Sequence, residues 1–366
     1  MPVQVSVLGA GNGGCTMAAD LVVRGIGCTL FDLPRFDDVL APIRAAGALR
    51  MTGVLGDRVV TAPPITTDFG EAITGADTVV IAVPAFAQEE FARGCAPFVH
   101  QGQVILLTPG GTGGALAFAA TLGREGAPDG LLVAETLSLP YACRKVAPDH
   151  VHVGGVKRNM PVAAFPAVDT AHVLEVLEPV FPGMLAAAPH VLDTSLNNPN
   201  AMAHPLPVLL NTGWIEVTGG DFRFYTDGVS PSVARVMDLL DADRLAILAA
   251  LGLEPVPAIE WDRRLYGLTG DTTYELNQQS WVHRDIRAPD KVRTRYLTED
   301  VPYGLVPMAS IARELGVATP VMDLVIDLAC TLLGEDLREG ARTATSLGLG
   351  GLDAREMIAF VETGRA

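Results

Sequence analysis

Short, mostly apolar runs alternate with helical patterns over the first half of the chain. These runs lie at residues 3–8, 29–31, 78–83, 103–107, 131–134 and 151–153. Their apolar continuity is typical of strands buried on both faces, and the helical segments between them indicate crossover connections between parallel strands. The pattern therefore predicts a doubly wound parallel α/β sheet.

The pattern changes beyond about residue 190. Long helical stretches follow, such as residues 231–251 and 306–333, broken by turns that carry Pro and Gly, and no strand run of comparable quality appears. We therefore predict a doubly wound α/β domain over residues 1–190 and a mainly α-helical domain over residues 191–366.

The first strand run leads directly into a glycine turn, Gly9-Ala-Gly11-Asn12-Gly13-Gly14, and then into a helix. In a dinucleotide-binding unit the first glycine permits a tight turn, the second lets the backbone approach a pyrophosphate, and the third allows close packing of helix on strand. The pyrophosphate then lies on the unpaired N–H groups of the helix, so we predict that residues 1–190 form a Rossmann-type dinucleotide-binding domain. A purely structural turn is the alternative.

Asp32 lies 18 residues after Gly14, at the end of the second strand run. An acidic residue at this place accepts hydrogen bonds from the adenosine ribose, which favours NAD because a carboxylate repels a 2′-phosphate. Arg35 follows closely and could support NADP after a modest change of the loop. We assign Val83 and Pro84, which end another strand at the same sheet edge, to the cofactor site, together with the turn residues.

A second glycine turn spans residues 108–114 and precedes a helix that starts near Ala115. Its N–H groups could bind a carboxylate or phosphate, and we place Thr112 in the substrate site. A purely structural turn is again the alternative.

Composition narrows the class of partner. The formal net charge of −16 argues against nucleic acid and anionic membranes, which require clustered Lys and Arg, and favours small molecules. The five cysteines are scattered, with no CxxC pair and no ligand spacing, so we expect reduced thiols and no metal site. No signal segment or membrane-length apolar run is present, so we expect a cytoplasmic protein.

The densest polar cluster in the chain spans residues 194–207. Asn200 and His204 are four residues apart, which places them on one face of a predicted helix, while Pro205 biases His204 away from regular helix. Histidine exchanges protons near neutral pH, so His204 suits the reduction of a carbonyl or imine. The other six histidines lack such neighbours, and we interpret them as surface or packing residues.

A second cluster spans residues 293–307 and combines arginines and acids with a turn shaped by Pro and Gly. A carboxylate here could orient a catalytic histidine, and Arg295 could hold a substrate carboxylate through both arms of its guanidinium. A surface turn held by ion pairs is the alternative.

Together these segments resemble the opine dehydrogenases, the octopine/nopaline dehydrogenase family, and especially its bacterial members. The motifs that carry the resemblance run through nearly the whole chain: residues 9–14, 83–85, 109–114, 134–136, 198–205, 299–307, 340–343 and 347–349. The resemblance implies NAD(P)H-dependent reductive condensation of a 2-oxo acid, such as pyruvate, with the amino group of an L-amino acid, giving a secondary-amine dicarboxylate.

By the same resemblance, His204 is the acid/base histidine and Asp300 is its carboxylate partner, which makes the helical region 191–366 the substrate and catalytic domain. Arg295 matches an arginine that shortly precedes this acid, and we place Asn200 in the substrate site with it. We expect a homodimer. The side-chain pocket for the amino acid has no readable motif.

Two other functions stay open at this point. One is reduction of a 2-oxo acid to a hydroxy acid, as in ketopantoate-type enzymes, for which a catalytic lysine is expected. Lys145, Lys157 and Lys291 are the lysines of the chain, and none has a convincing setting. The other is a nucleotide-binding protein that has lost catalysis, which intact His204 and Asp300 argue against.

Overall fold

A computed structural model describes residues 3–365. The chain divides into two compact units. The first comprises the chain up to Gly110, Gly114–Thr194 and Val361–Gly364, and the second comprises Gly111–Gly113 and Ser195–Phe360, with the end of the chain. The domain bounds 1–190 and 191–366 stay a prediction.

Among the described residues, the first unit contains two sheets. The twelve strands seen there are β1 (Gln4–Leu8), β2 (Gly27–Phe31), β3 (Ala48–Gly53), β4 (Arg58–Thr61), β5 (Ile65–Thr66), β6 (Thr78–Ile81), β7 (Val104–Leu107), β8 (Leu132–Thr136), β9 (Tyr141–Ala147), β10 (His150–Val156), β11 (Met160–Phe165) and β12 (Leu185–Ala187). The main sheet has the order β12-β11-β8-β7-β6-β1-β2-β5, and the second has the order β4-β3-β10-β9.

Parallel pairing dominates the main sheet, as predicted for strands buried on both faces. The exception is β11, which runs antiparallel to β8 and parallel to β12. The helices associated with this unit are α1 (Asn12–Val23), α2 (Asp37–Ala46), α3 (Phe69–Ile73), α4 (Gln88–Cys95), α5 (Gly114–Arg124), α6 (Thr170–Leu177) and α7 (Val191–Leu196), whose last two residues belong to the second unit.

The prediction that residues 151–153 belong to the doubly wound sheet is wrong. They lie in β10, which pairs antiparallel with β9 and parallel with β3 in the second sheet. Only two residues separate β9 from β10, a length that closes a hairpin but not a helical crossover. Val151 and Val153 are buried while His152 between them is exposed, the alternation of a sheet with one covered face.

Helix α1 lies against both sheets. It contacts β1 and β2 of the main sheet and β3, β4, β9 and β10 of the second. Its residues from Gly13 to Leu21 are therefore all buried. This packing brings β9 beside the glycine turn that begins α1.

The second unit is helical, with one isolated backbone bridge between Arg223 and Arg287. Its helices are α8 (Pro199–Ala203), α9 (Pro205–Leu210), α10 (Thr212–Thr218), α11 (Pro231–Ala250), α12 (Ala258–Tyr266), α13 (Thr273–Gln279), α14 (Arg295–Thr298), α15 (Val306–Glu314), α16 (Pro320–Leu333) and α17 (Ala354–Thr363), whose last residues belong to the first unit. A five-residue π-helix, Val301–Leu305, precedes α15.

The longest helix, α11, agrees closely with the predicted stretch 231–251. It begins with Pro231 after Ser230, whose hydroxyl accepts a hydrogen bond from the Val233 amide at 3.3 Å. The predicted stretch 306–333 forms α15 and α16, separated by a turn that contains Gly316. An α/β unit followed by a helical unit confirms the predicted fold class. No helix within residues 3–365 is long and apolar enough to span a membrane.

Candidate active site

The glycine turn of the first unit has the geometry of a dinucleotide-binding loop. Gly9 has a φ of +109°, and a Cβ on it would lie 2.6 Å from the Ala82 carbonyl oxygen. A Cβ on Gly14 would lie 1.7 Å from the Gly9 carbonyl oxygen, whereas one on Gly11 would meet nothing within 4 Å. Packing thus requires Gly9 and Gly14, and the backbone at Gly11 borders open space.

Helix α1 starts at this turn with Gly11 as its N-cap and without a side-chain cap. The N–H groups of its first turn suit a pyrophosphate, so the residues present fit a dinucleotide. Val83 is buried, and its Cγ1 would lie 2.7 Å from a Cβ on Gly9, so Val83 adjoins the same turn, while the cofactor role of Pro84 stays a prediction.

Asp32 is buried directly after β2, and backbone donors fix its carboxylate. Oδ2 accepts from the Ala10 amide and Oδ1 from the Leu33 amide, both at 2.8 Å. Burial raises the pKa of Asp32, while these two hydrogen bonds oppose the shift. Each carboxylate oxygen can accept a second hydrogen bond, so Asp32 could still bind the hydroxyls of a ribose.

Lys145 of β9 also lies at the glycine turn. Its amide donates to Asn12 Oδ1 at 2.8 Å, and its Nζ lies 3.4 Å from the Ala10 carbonyl oxygen. Sequence reasoning missed Lys145, because only the packing of the second sheet on α1 brings a residue so distant in sequence to this turn. Its ammonium group suits a nucleotide phosphate.

The second glycine turn already holds an anion of the protein itself. Glu135 is buried, and its Oε2 accepts from the Ala115 amide at the start of α5 at 2.7 Å. Its Oε1 accepts from the Thr194 hydroxyl at 2.7 Å. A Cβ on Gly110 would lie 2.4 Å from Glu135 Oε2, which accounts for that glycine. The structural alternative for this turn is therefore the better interpretation.

Thr112 belongs to the second unit and is fully buried there. Its amide donates to the Tyr303 carbonyl at 3.0 Å and its hydroxyl to the Ser195 carbonyl at 3.3 Å. Its own carbonyl accepts from Arg342 at 3.1 Å. These bonds fix Thr112 beside the segment that follows Asp300, and its place in the substrate site stays a prediction.

His204 lies at the junction of α8 and α9. The Asn198 side chain caps α8 by accepting from the Asn200 amide at 3.1 Å, and the His204 amide donates to the Asn200 carbonyl at 3.0 Å. The prediction that Pro205 interrupts regular helix at His204 is confirmed, because α8 ends at Ala203 and α9 begins at Pro205. The missing N–H of Pro205 divides the segment into two helices, although His204 itself keeps right-handed angles, φ −97° and ψ −49°.

The His204 imidazole pairs with Asp300, 96 residues further along the chain. Nδ1 of His204 lies 2.7 Å from Oδ2 of Asp300, and the two side chains are 16% and 10% exposed. A neutral imidazole that donates Nδ1–H to a carboxylate has Nε2 as its acceptor nitrogen. The arrangement can therefore hold one tautomer and stabilise the imidazolium.

Small residues bring the two partners together. Asp300 immediately precedes the π-helix 301–305, and a Cβ on Gly304 of that helix would lie 2.8 Å from the Cβ of Ala201 in α8. Any larger side chain at Gly304 would separate the two helices. π-Helical turns are rare and occur often at functional sites.

Aromatic rings flank the pair. The Tyr296 ring stacks on the His204 imidazole with centroids 4.3 Å apart and planes 26° apart, and Tyr225 lies 6.4 Å away. Burial raises the pKa of Tyr225 well above its usual range, so its phenol stays neutral. Sequence reasoning missed both tyrosines, although Tyr296 lies within the cluster at residues 293–307.

Arg295 and Asn200 are near this pair along the chain. Arg295 begins α14, its side chain is 65% exposed, and its Nε donates to Glu299 Oε2 at 2.8 Å. Asn200 lies one helical turn before His204. The structure thus joins His204 to Asp300 directly, while the substrate roles of Arg295 and Asn200 stay predictions.

The first unit contains a glycine turn that fits a dinucleotide, with a buried acid at the end of β2, and the second contains a histidine hydrogen-bonded to a carboxylate. These are features of NAD(P)-dependent dehydrogenases. Residues 3–365 contain no cluster of three or more His, Cys, Asp or Glu that could hold a metal ion.

Comparison with known proteins identifies the family. Residues 187–333 match the model of the NAD/NADP octopine/nopaline dehydrogenase α-helical domain, and residues 5–156 match that of ketopantoate reductase PanE/ApbA. An opine dehydrogenase of Arthrobacter sp. (strain 1C) is 38% identical over 361 residues, 98% of each chain. An octopine dehydrogenase of Pecten maximus is 28% identical over 382 residues, 94% of each chain.

The fold agrees with these matches. A structure of octopine dehydrogenase in complex with NADH and agmatine superimposes with a TM-score of 0.78 at 23% identity, covering 100% of this chain and 98% of the other. The chain belongs to the opine dehydrogenase family, whose members are NAD(P)-dependent oxidoreductases.

Proposed function

We propose that the protein condenses a 2-oxo acid with the amino group of an L-amino acid and reduces the product with NADH or NADPH, and that it also catalyses the reverse oxidation. The amine adds to the ketone carbon and water is lost, which gives an imine. Hydride and a proton then convert the C=N bond into a secondary amine that carries both carboxylates. The His204–Asp300 pair is the observation that carries this proposal.

The residues of the chain supply the proton chemistry and the orientation. The bound nicotinamide cofactor supplies the hydride. His204 exchanges a proton through Nε2 with the substrate, because Asp300 holds Nδ1 at 2.7 Å. Asp300 stabilises the imidazolium, and the Tyr296 ring stacked on His204 limits its rotation.

Arg295 binds a substrate carboxylate in this proposal, with Asn200 and Thr112 as further contacts. Arg295 donates to Glu299 through Nε, and a planar guanidinium has four further N–H donors on its terminal nitrogens. These donors match the two oxygens of a carboxylate, which every substrate of this reaction contains.

The cofactor site comprises Gly9, Gly11, Asn12, Gly13, Gly14, Asp32, Val83 and Pro84. The buried carboxylate of Asp32 favours NADH over NADPH. We further propose that the enzyme is a cytoplasmic homodimer, and its five free thiols fit a reducing compartment.

A matrix of 2-oxo acids against L-amino acids, with NADH and with NADPH, tests this function. Pyruvate and L-arginine come first, because structures of octopine dehydrogenase in complex with NADH contain them. We expect nucleotide oxidation to require both organic substrates, and mass spectrometry to find a secondary amine that joins them.

Residues 5–156 match a ketopantoate reductase model, so reduction of a 2-oxo acid to a hydroxy acid is the second candidate function. Reduction of a 2-oxo acid alone, at a comparable rate and with a hydroxy acid as product, would replace the opine reaction with that activity. If the protein binds nucleotide but turns over no combination of 2-oxo acid and L-amino acid, it is a nucleotide-binding protein without catalytic activity.

A further inference from the structure

An exposed ion pair joins the loop after β2 to helix α4. Arg35 lies in a short 3₁₀ turn, Pro34–Phe36, and Glu90 lies in the first turn of α4. Nη1 of Arg35 is 2.5 Å from Oε1 of Glu90, and Nη2 is 2.6 Å from Oε2, so both arms of the guanidinium are engaged. The guanidinium carbon also lies 5.0 Å from the centre of the Phe36 ring.

This pair contributes little to the stability of the fold. The two side chains are 53% and 40% exposed, and an ion pair between exposed side chains stabilises a fold only weakly because solvent screens it. Its consequence is local: the guanidinium is held in one position and its charge is balanced by Glu90. The Arg35 hydrogen bonds lower the pKa of Glu90, so that carboxyl remains ionised at neutral pH.

The pair lies at the sheet edge where a dinucleotide cofactor is expected to bind. Strands β2 and β6 pair in parallel with the two sides of β1, so the loops that follow all three strands reach the same sheet edge. Asp32 stands three residues before Arg35 in one of these loops, and α4 follows another. In dinucleotide-binding units this edge holds the adenosine ribose, and an arginine near the acidic residue accommodates a 2′-phosphate.

We propose that Glu90 selects NADH over NADPH by occupying the guanidinium of Arg35. With Glu90 in place, a 2′-phosphate meets the carboxylates of Asp32 and Glu90 and finds both arms of Arg35 already bonded. Without the Glu90 carboxylate, Arg35 is an unpaired cation three residues after the ribose-binding acid. Cofactor choice in this chain then depends on α4, which lies outside the sequence fingerprint formed by the glycine turn and the acidic residue after β2.

The inference rests on the dinucleotide binding contained in the proposed function, and it does not depend on the opine reaction. Titration calorimetry with NADH and NADPH on the full chain, without organic substrates, therefore tests it. E90Q removes one charge at nearly constant shape. We expect the ratio of the NADPH to the NADH dissociation constant to fall by roughly tenfold, from loss of one like charge near the phosphate.

E89Q is the matched control. Glu89 is the preceding residue of α4, and its carboxylate lies 4.0 Å from Arg93 and 3.9 Å from Arg124 instead of next to Arg35. E89Q changes the net charge by the same amount as E90Q. We therefore expect it to leave the ratio of the NADPH to the NADH dissociation constant within about twofold. R35Q added to E90Q should cancel the gain, because the cation that binds the phosphate is then missing.

An unchanged ratio in E90Q, or an equal change in E89Q, overturns the role of Glu90 while NADH binding still supports the dinucleotide site. A gain in E90Q that survives R35Q also overturns it, because another group then binds the phosphate. Failure of the unaltered chain to bind either nucleotide overturns both this inference and the proposed function.

Discussion

The His204–Asp300 pair makes a quantitative prediction about turnover. H204A removes the imidazole that exchanges the proton, whereas D300N keeps the shape of the partner and removes its charge. An amide at residue 300 can also hold the wrong tautomer of the imidazole. Both changes lie in the helical unit, so we expect NADH binding to stay nearly unchanged.

The geometry sets the magnitude of the loss. The atoms that hydrogen bond are 2.7 Å apart, and both side chains are at least 84% buried. Unit charges about 4 Å apart interact by about 4 kcal/mol at an effective dielectric constant of about 20. At about 1.4 kcal/mol for each tenfold change, D300N should lower kcat by up to about a thousandfold. This agrees with the ~10²–10⁴-fold rate increase expected for general acid–base catalysis, and kcat of H204A should fall by at least ~10²-fold.

Steady-state kinetics of H204A, D300N and the double variant form the assay, with NADH binding measured by calorimetry. Residues that act as a unit give a double variant little slower than either single one. D323N, which breaks an exposed ion pair with Arg313 in the same unit, is the control and should keep near-normal turnover. Losses that multiply in the double variant, or H204A with near-normal kcat, would refute the pair as the catalytic unit.

Three further predictions concern binding. D32S should weaken NADH by about tenfold and relatively favour NADPH, through loss of a charged acceptor at the ribose, and an unchanged NADH/NADPH ratio of kcat/KM would remove Asp32 from that role. R295K keeps the charge but loses the planar fork, so KM for the 2-oxo acid should rise by about tenfold, and unchanged KM values for both organic substrates would contradict the assignment. K145M should weaken NADH and NADPH equally, by several-fold, whereas K291M should not, and equal effects in calorimetry would show a response to net charge alone.

Much of the fold followed from local pattern. The apolar runs predicted most strands of the main sheet, because strands buried on both faces leave a short continuous apolar segment. The second sheet was missed because two of its strands are half exposed and the 151–153 run looked like another buried strand. Its hairpin depends on the short β9–β10 connection, and its place depends on α1.

The candidate site also divides into features that local sequence predicts and features that depend on packing. The glycine turn and Asp32 were predictable because turn, helix and strand end are adjacent in sequence, and Gly9 and Gly14 meet steric demands within that turn. His204 and Asp300 stood out through their neighbours and through the family resemblance. No spacing rule could show that they touch, because their contact requires Ala201 and Gly304 to bring two helices together.

The sequence by itself determined the fold class, the loop that suits a dinucleotide and the residues suited to proton transfer, since each depends on local periodicity or on side-chain chemistry. Tertiary structure decided which of those residues meet. It paired His204 with Asp300 and stacked Tyr296 on the imidazole, and it placed Glu135 at the start of α5 where an external anion had been expected. It also brought Lys145 to the glycine turn and Glu90 to Arg35. These contacts join residues far apart in the chain, and their distances follow from packing, which the order of residues does not display.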